Sequence, residues 1–184
     1  MESYQKSLSR VLDYDFGHLS FYILTLEPNT PFAKTYTYDS KPLPLTDDVV
    51  QMFRTTHDIL RDKGYLHYEI SNYGRPGSES RHNMMYWEGD REYLAMGTGA
   101  ASYLNRARYT RPKTIKGYYR WVDTQLDLFK LVTEEEFKRS EDPLAIAVES
   151  DHSTAQTVLM CSLRTATGLE PEKIKKYFPN EAAY

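Results

Sequence analysis

The stretch HLSFYILTLEP, residues 18–28, decides the fold class that the sequence indicates. It is almost continuously apolar and aromatic, and Pro28 ends it. Such a run predicts a strand buried on both faces, as in parallel sheets that helices cover. A helical pattern follows over residues 46–64, and the strand-like YLHYEI occupies residues 65–70. The order strand, helix, strand predicts an α/β fold.

Length and composition limit the classes of protein to which the chain can belong. Its 184 residues suffice for one domain or slightly more, and 40% of them are hydrophobic, which is enough for a packed core. The formal net charge is -3, so charge gives no general argument for nucleic acid as a partner. No apolar run approaches the roughly 20 residues that span a membrane.

The chain contains a single cysteine, Cys161. No disulfide can form within the chain, and this chain alone cannot hold a cluster that several cysteines ligate. Residues 1–15, MESYQKSLSRVLDYD, lack the apolar core of a signal peptide and the Arg-rich character of a transit peptide. We therefore expect a cytoplasmic location, or a mitochondrial or plastid one if the protein is eukaryotic and a transit peptide is missing.

The segment RHNMMYW, residues 81–87, carries the first candidate site. Imidazole is a common axial ligand of haem iron, which makes His82 a candidate ligand. Asn83 could orient that ring, and Tyr86 and Trp87 could share its side of a helical turn and stack on a macrocycle. The alternative is that the histidine caps a loop while the Tyr-Trp pair anchors that loop on the core.

The segment GTGAAS, residues 97–102, is the second candidate. Gly97 and Gly99 would let backbone amides approach a ligand closely. A dinucleotide-binding loop would have a third glycine followed at once by a helix, whereas Ser102 and a strand-like segment stand here. The sequence leaves two interpretations open, a tight loop beside a cofactor and a plain strand–loop–strand connection.

Two further groups of charged residues have a structural and a functional interpretation. Glu69 lies at the end of a predicted strand, where ligands bind in α/β proteins, but it could equally be a solvated edge carboxylate. Six basic residues between positions 106 and 120 could bind carboxylates such as propionates, or form a solvated face. The histidines form no HExxH motif or close metal-binding pair in the sequence.

Four segments taken together resemble one family. HLSFYILTLEPNTPF, YEISNYGRPGSESRHNMMYW, YLAMGTGAASY and LMCSLRTATGL occur in this order, and the likeness extends from about residue 19 to about residue 169. They resemble the HemW family of radical S-adenosylmethionine (SAM) proteins, long described as oxygen-independent coproporphyrinogen III oxidase-like. HNMMYW matches the HNxxYW motif that separates the HemW branch from true coproporphyrinogen dehydrogenases.

The resemblance implies a fold and a domain division. Residues 1–130 would form the last strands and helices of an incomplete radical SAM barrel of partial TIM type. Residues 131–184 would begin the small helical C-terminal domain of the HemW type. Thr25 and Ala101 would line the SAM pocket through packing or backbone contacts, and the turn with Gly97 and Gly99 would lie at the edge of that barrel.

The resemblance also implies a function. Family members bind haem and pass it to respiratory haem proteins, and His82 matches the histidine implicated in haem binding. The family's CxxxCxxC loop, which ligates a four-iron four-sulfur (4Fe-4S) cluster, is missing from this sequence. This chain alone is therefore expected to be a haem-binding fragment that performs no cluster-dependent chemistry. The alternatives are a coproporphyrinogen dehydrogenase of porphyrin biosynthesis and a non-catalytic remnant or interaction module.

Overall fold

The chain divides into two compact units. The structure, a computed structural model, describes residues 1–131 and 149–177. One unit comprises Met1–Met84 with Arg164–Gly168, and the other comprises Met85–Leu163 with Leu169–Tyr184. The domain division expected from the sequence, between residues 130 and 131, borders the residues outside the described ranges and stays a prediction.

The first unit is built around a three-stranded sheet. The strands lie in the order β1-β3-β2, and the central strand is antiparallel to both neighbours. The two outer strands therefore run in the same direction, as the strand–helix–strand pattern predicts, but the central strand separates them. The elements are α1 (Glu2–Leu12), β1 (His18–Ser20), α2 (Pro31–Thr35), α3 (Thr46–Asp62), β2 (Leu66–Glu69), β3 (Asn72–Gly74) and the start of α4 (Arg81–Trp87).

The predicted strand over residues 18–28 is much shorter in the structure. Its pairing ends where the Phe21 amide donates to the Ser71 carbonyl, at 2.7 Å. Tyr22, Ile23 and Leu24 are then 73%, 65% and 55% exposed. The expectation of burial on both faces is wrong here because, within the described residues, no strand pairs with this part of the chain.

The helix α3 packs its apolar side against the sheet. It begins with two aspartates in its first turn, which the helix dipole favours, and Gly64 follows its end at φ +82°. Leu60 on this helix is fully buried with Leu19 and Tyr73 of the sheet. Burial of one such leucine side chain contributes about 2 kcal/mol to folding.

In its described residues, the second unit contains the end of α4, a hairpin and three further helices. Its elements are the end of α4, then β4 (Ala101–Leu104), β5 (Ala107–Thr110), α5 (Ile115–Leu131), α6 (Asp151–Ser162) and α7 (Pro171–Lys175). Asn105 and Arg106 form the two-residue turn of the hairpin, at φ +48° and +60°. Two left-handed residues give the turn type that matches the twist of paired strands. None of the helices in the described ranges is long and apolar enough to cross a membrane.

Helix α6 approaches the backbone at Gly89. A Cβ atom at Gly89 would lie 2.8 Å from the Val158 Cα, and the Gly89 φ is +82°. Val158 is fully buried. This approach leaves no room for a side chain at position 89.

We expect Gly89→Ala to lower the free energy of unfolding by more than 2 kcal/mol, roughly the sum of left-handed backbone strain and the clash with Val158. Gly77→Ala is the control, because Gly77 has φ +83° and nothing within 4 Å of its Cβ position. The control substitution should lower the free energy of unfolding by about 1 kcal/mol. If urea unfolding showed equal losses of stability for the two substitutions, the close approach of Val158 to Gly89 would be contradicted.

Candidate functional site

Helix α4 presents the candidate haem ligand at the surface. The Ser80 Oγ accepts from the Asn83 amide at 3.2 Å, which caps the start of the helix. His82 is exposed in the first turn, and Tyr86, four residues on, is 41% exposed. Since residues four apart share one side of a helix, His82 and Tyr86 lie on the same side. Trp87 is half-buried and lies on the adjacent side with Asn83.

Tyr86 also takes part in a row of aromatic rings. Its ring meets the Tyr93 ring edge to face, with 4.8 Å between centroids, and Tyr93 lies 6.2 Å from the Tyr103 ring. Tyr103 is buried at 2% exposure. The aromatic row agrees with the anchoring interpretation of Tyr86, whereas exposure of the imidazole is what a haem ligand requires.

The Gly-Thr-Gly segment is a connection that leads into the hairpin. Gly97 and Gly99 have φ of +103° and +67°. The Gly99 amide donates to the Pro112 carbonyl at 2.9 Å, and the Arg111 amide donates to the Ala100 carbonyl at 2.9 Å. These bonds extend the pairing of β4 and β5 beyond the strands. The Gly99 amide is therefore engaged, which favours the strand–loop–strand interpretation at this residue.

Ser102 holds this segment through side-chain hydrogen bonds. It is 1% exposed, and its Oγ accepts from the Ala95 amide at 3.0 Å and from Arg111 Nη1 at 2.8 Å. The Arg111 guanidinium lies 5.2 Å from the centre of the Trp121 ring. Arg111 thus has a structural role that the interpretation as a carboxylate-binding residue did not include.

Two more of the six basic residues are also engaged. Arg106 pairs with Asp151, and Arg108 donates to the Tyr93 hydroxyl at 2.7 Å. Lys113, Lys116 and Arg120 are exposed. The prediction of a solvated basic face is therefore only partly right. Arg106, Arg108 and Arg111 contact other side chains of this unit, whereas the remaining three basic residues are exposed.

The two residues expected at the SAM pocket lie in different units. Thr25 is exposed in the extended segment after β1, in the first unit. Ala101 is half-buried at the start of β4, in the second unit, and pairs with Thr110. A role for either in binding SAM stays a prediction.

Glu69 is buried. It is 3% exposed, its Oε2 accepts from the Ser71 amide at 3.3 Å, and its Oε1 accepts from the Asn72 side-chain amide. The Ser20 hydroxyl in turn donates to the Asn72 side-chain oxygen. The interpretation of Glu69 as a solvated edge carboxylate is wrong, because this carboxylate is buried. It bonds Asn72 of β3, and Asn72 in turn links it to Ser20 of β1.

Two histidines that are distant in sequence are neighbours in the structure. The His57 and His67 ring centroids are 5.5 Å apart, and His67 stacks on Tyr73 at 4.3 Å. Neither local spacing nor a motif signals this pair, since it depends on how α3 packs on β2. No group of three or more potential metal ligands occurs among the described residues.

An apolar groove of about 700 Å³ lies in the first unit. One wall is the segment that follows β1, and the opposite wall is the exposed side of α3. Its aromatic lining side chains are Tyr4, Phe21, Tyr22, Tyr38 and Phe53. The sequence did not indicate this groove, because residues 18–28 were expected to be buried.

Comparison with known proteins identifies the family. The haem chaperone HemW of Lactococcus lactis is 32% identical over 178 residues, which cover 97% of this chain and 42% of that protein. The chain belongs to the HemW family. HemW of Synechocystis is 39% identical over 124 residues, covering 67% of this chain and 30% of that protein. No protein-family model matches the chain.

A mammalian relative shares the same region. The mitochondrial radical S-adenosyl methionine domain-containing protein 1 of mouse is 36% identical over 100 residues, covering 54% of this chain and 22% of that protein. This HemW-family chain spans less than half the length of each of these relatives. It corresponds to their C-terminal portion.

A solved structure shows the fold. Coproporphyrinogen III oxidase from Escherichia coli, a radical SAM enzyme, superposes on 97% of this chain with a TM-score of 0.70 and 18% identity. The match covers 40% of that enzyme. The predicted fold class, an α/β part of a radical SAM barrel, is therefore confirmed.

The buried hydroxyl of Tyr73 generates a prediction about alkaline stability. Tyr73 is 1% exposed, and its hydroxyl has no hydrogen-bond partner among the described residues. Burial raises the pKa of Tyr73 from 10.0 to about 12. The pKa of Tyr73 is higher in the folded than in the unfolded state. The contribution of protonated Tyr73 to the free energy of unfolding is therefore complete below pH 10.0 and is lost as the pH rises through about 12.

We expect Tyr73→Phe to leave stability at pH 7 unchanged or to raise it by about 1 kcal/mol, because it removes an unpaired buried hydroxyl. The variant should also lose less stability than the wild type above pH 10.0. Tyr65→Phe is the control, because the Tyr65 hydroxyl donates to the Phe16 carbonyl and its loss should cost about 1 kcal/mol. Urea titrations from pH 7 upward measure both effects. If Tyr73→Phe strongly lowered the free energy of unfolding at pH 7, the Tyr73 hydroxyl would have to make a hydrogen bond, which would contradict the structure.

Proposed function

We propose that this chain binds haem as part of a haem chaperone of the HemW type, with the His82 imidazole as the axial ligand. The relatives from Lactococcus lactis and Synechocystis are named as haem chaperones. The observation that carries the proposal is the exposure of His82 in the first turn of α4, within the HNMMYW motif. Iron can approach an exposed imidazole without prior unfolding of the site.

The geometry of α4 fits haem as cargo. His82 would supply one nitrogen ligand, and the half-exposed Tyr86 ring, one turn away on the same side, would contact the edge of the macrocycle. Asn83 is in the same first turn and would orient the imidazole by hydrogen bonding. A single ligand on an exposed helix leaves the opposite face of the iron open, which suits release to a recipient protein. Respiratory haem proteins are the proposed recipients.

The cluster of the family does not fit the donors of this chain. A CxxxCxxC loop supplies three thiolates, whereas the only cysteine here is Cys161, which is buried on α6. We therefore derive no step through a 4Fe-4S cluster, and coproporphyrinogen oxidation is not proposed for this chain alone. Binding of SAM by Thr25, Ala101, Gly97 and Gly99 would be limited to packing and backbone contacts, since the Gly99 amide already bonds Pro112.

Haem titration of the wild type and of His82→Ala tests the proposal. The wild type should shift the Soret band of haem by axial coordination, and His82→Ala should lose that shift and bind haem at least about tenfold more weakly, a change of 1.4 kcal/mol. Tyr86→Leu should weaken binding less, because it removes only ring contact.

The matched control is His152→Ala. His152 is also exposed and also lies in the first turn of a helix, α6, so its loss removes an equivalent imidazole. This variant should keep the wild-type spectrum and affinity. Identical spectra for the wild type and His82→Ala would show that His82 is not the haem ligand. Equal losses of haem affinity in the His82→Ala and His152→Ala variants would show the same.

A further inference from the structure

His57 and His67 form a pair of imidazoles where α3 packs on β2, within the first unit. The His57 ring belongs to α3 and the His67 ring to β2. The ring centroids are 5.5 Å apart, and the ring planes are inclined by 64°. Both residues are half-buried, so neither ring is fully enclosed by protein and solvent reaches the pair.

The His67 ring is held in place by two contacts. Its Nε2 donates to the Ile70 carbonyl at 3.0 Å, and the ring stacks on Tyr73 with 4.3 Å between centroids and 7° between planes. A carbonyl only accepts, so Nε2 carries the proton and Nδ1 of the neutral ring keeps its lone pair. Histidines that ligate metals usually donate their other ring N–H to a carbonyl or carboxylate in this way.

The His57 ring has uncommitted nitrogens. Its contacts with His67 and with Tyr73, at 6.3 Å, are contacts between rings, and within the part of the chain that the structure describes it makes no hydrogen bond. No polar contact therefore has to break when His57 rotates about its side-chain bonds. The pair thus offers Nδ1 of His67 and one nitrogen of His57 as ligands.

The separation of the two rings fits a single metal ion between them. A Zn–N bond to histidine is about 2.0–2.1 Å long, which places the centre of the imidazole ring about 3.2 Å from the metal. At a tetrahedral angle of about 109°, two such ring centres are about 5.3 Å apart. The observed separation of 5.5 Å is close to this value.

The donor type limits the class of metal. Imidazole nitrogen suits zinc, copper and nickel, whereas magnesium and calcium prefer oxygen ligands. Zinc accepts a tetrahedral arrangement in which water fills the positions that protein does not. No group of three potential ligands occurs among the described residues, so water would complete the coordination of an ion held by this pair.

We propose that His57 and His67 together bind one Zn²⁺ ion, with His67 as a ligand through Nδ1. The ion connects α3 to β2, and the Ile70 carbonyl orients the His67 ring from the other side. The inference does not depend on haem binding, because no residue of α4 takes part.

Calorimetric titration of the chain with zinc chloride, after treatment with a chelator, tests the inference. We expect one Zn²⁺ ion per chain. His57→Gln and His67→Phe should each weaken binding at least about tenfold, a change of 1.4 kcal/mol. The phenylalanine keeps a ring to stack on Tyr73 while it removes both nitrogens. Magnesium chloride in excess should not compete with Zn²⁺.

Nuclear magnetic resonance of the histidine ring nitrogens identifies the ligand atoms. On addition of Zn²⁺, the resonances of His67 Nδ1 and of one His57 nitrogen should shift, while His67 Nε2 stays protonated. Zn²⁺ should also raise the melting temperature of the wild type, because the ion binds the folded state, and should not raise that of either variant.

The matched control is His152→Gln. His152 is an exposed histidine of the other unit, so its loss removes an imidazole that is not part of the pair. This variant should keep the wild-type affinity for Zn²⁺. The melting temperature of each variant without Zn²⁺ shows whether it is folded, and His57→Gln should match the wild type because His57 makes no hydrogen bond with the described residues.

Three results would overturn the inference. The first is equal Zn²⁺ affinity in the wild type and in the folded His57→Gln and His67→Phe variants. The second is a loss of affinity in His152→Gln as large as in His57→Gln, because binding would then occur at scattered surface histidines. The third is a shift of other histidine resonances with those of His57 and His67 unchanged.

Discussion

The central strand β3 is the element on which the first unit depends, because it is hydrogen-bonded to both outer strands. Only three residues long, it places Tyr73 in the core and Asn72 at the edge of the sheet where β1 and β2 end and β3 begins. The buried carboxylate of Glu69 satisfies the Asn72 side chain, and Asn72 in turn accepts from Ser20. A buried polar group without partners would destabilise the sheet, so these three side chains form a set whose members depend on one another.

Local signals in the sequence predicted the elements that local interactions define. The extent of α3 followed from its apolar spacing and from Gly64. The strand-like character of the residues after Gly99 was also predicted, but the turn at Asn105 that divides them into β4 and β5 was not. The membership in the HemW family followed from four short segments in order. These features need no knowledge of distant partners, which is why a single sequence was enough.

The remaining features depend on which segments meet in three dimensions. Residues 18–28 have the composition of a buried strand, but burial requires a neighbouring strand, and composition does not show whether one is present. Glu69 was assigned to a ligand site or to solvent, and neither its burial nor its bond to Asn72 has a signal in the sequence. Exposure of His82 could not be read from the motif, because the motif gives the residue type and not the side of the helix.

Arg106 in the hairpin turn combines an unfavourable backbone conformation with a favourable side-chain contact. Arg106 occupies the left-handed region, where glycine would fit with less strain, yet its guanidinium pairs with Asp151 and its carbonyl accepts from the Glu149 amide at 2.7 Å. The tip of the hairpin is thereby tied to the residues that open α6. A glycine at position 106 would relieve the backbone strain but would remove the guanidinium that pairs with Asp151. The strained residue therefore supplies a side-chain connection between the strand pair and the helix that glycine cannot make.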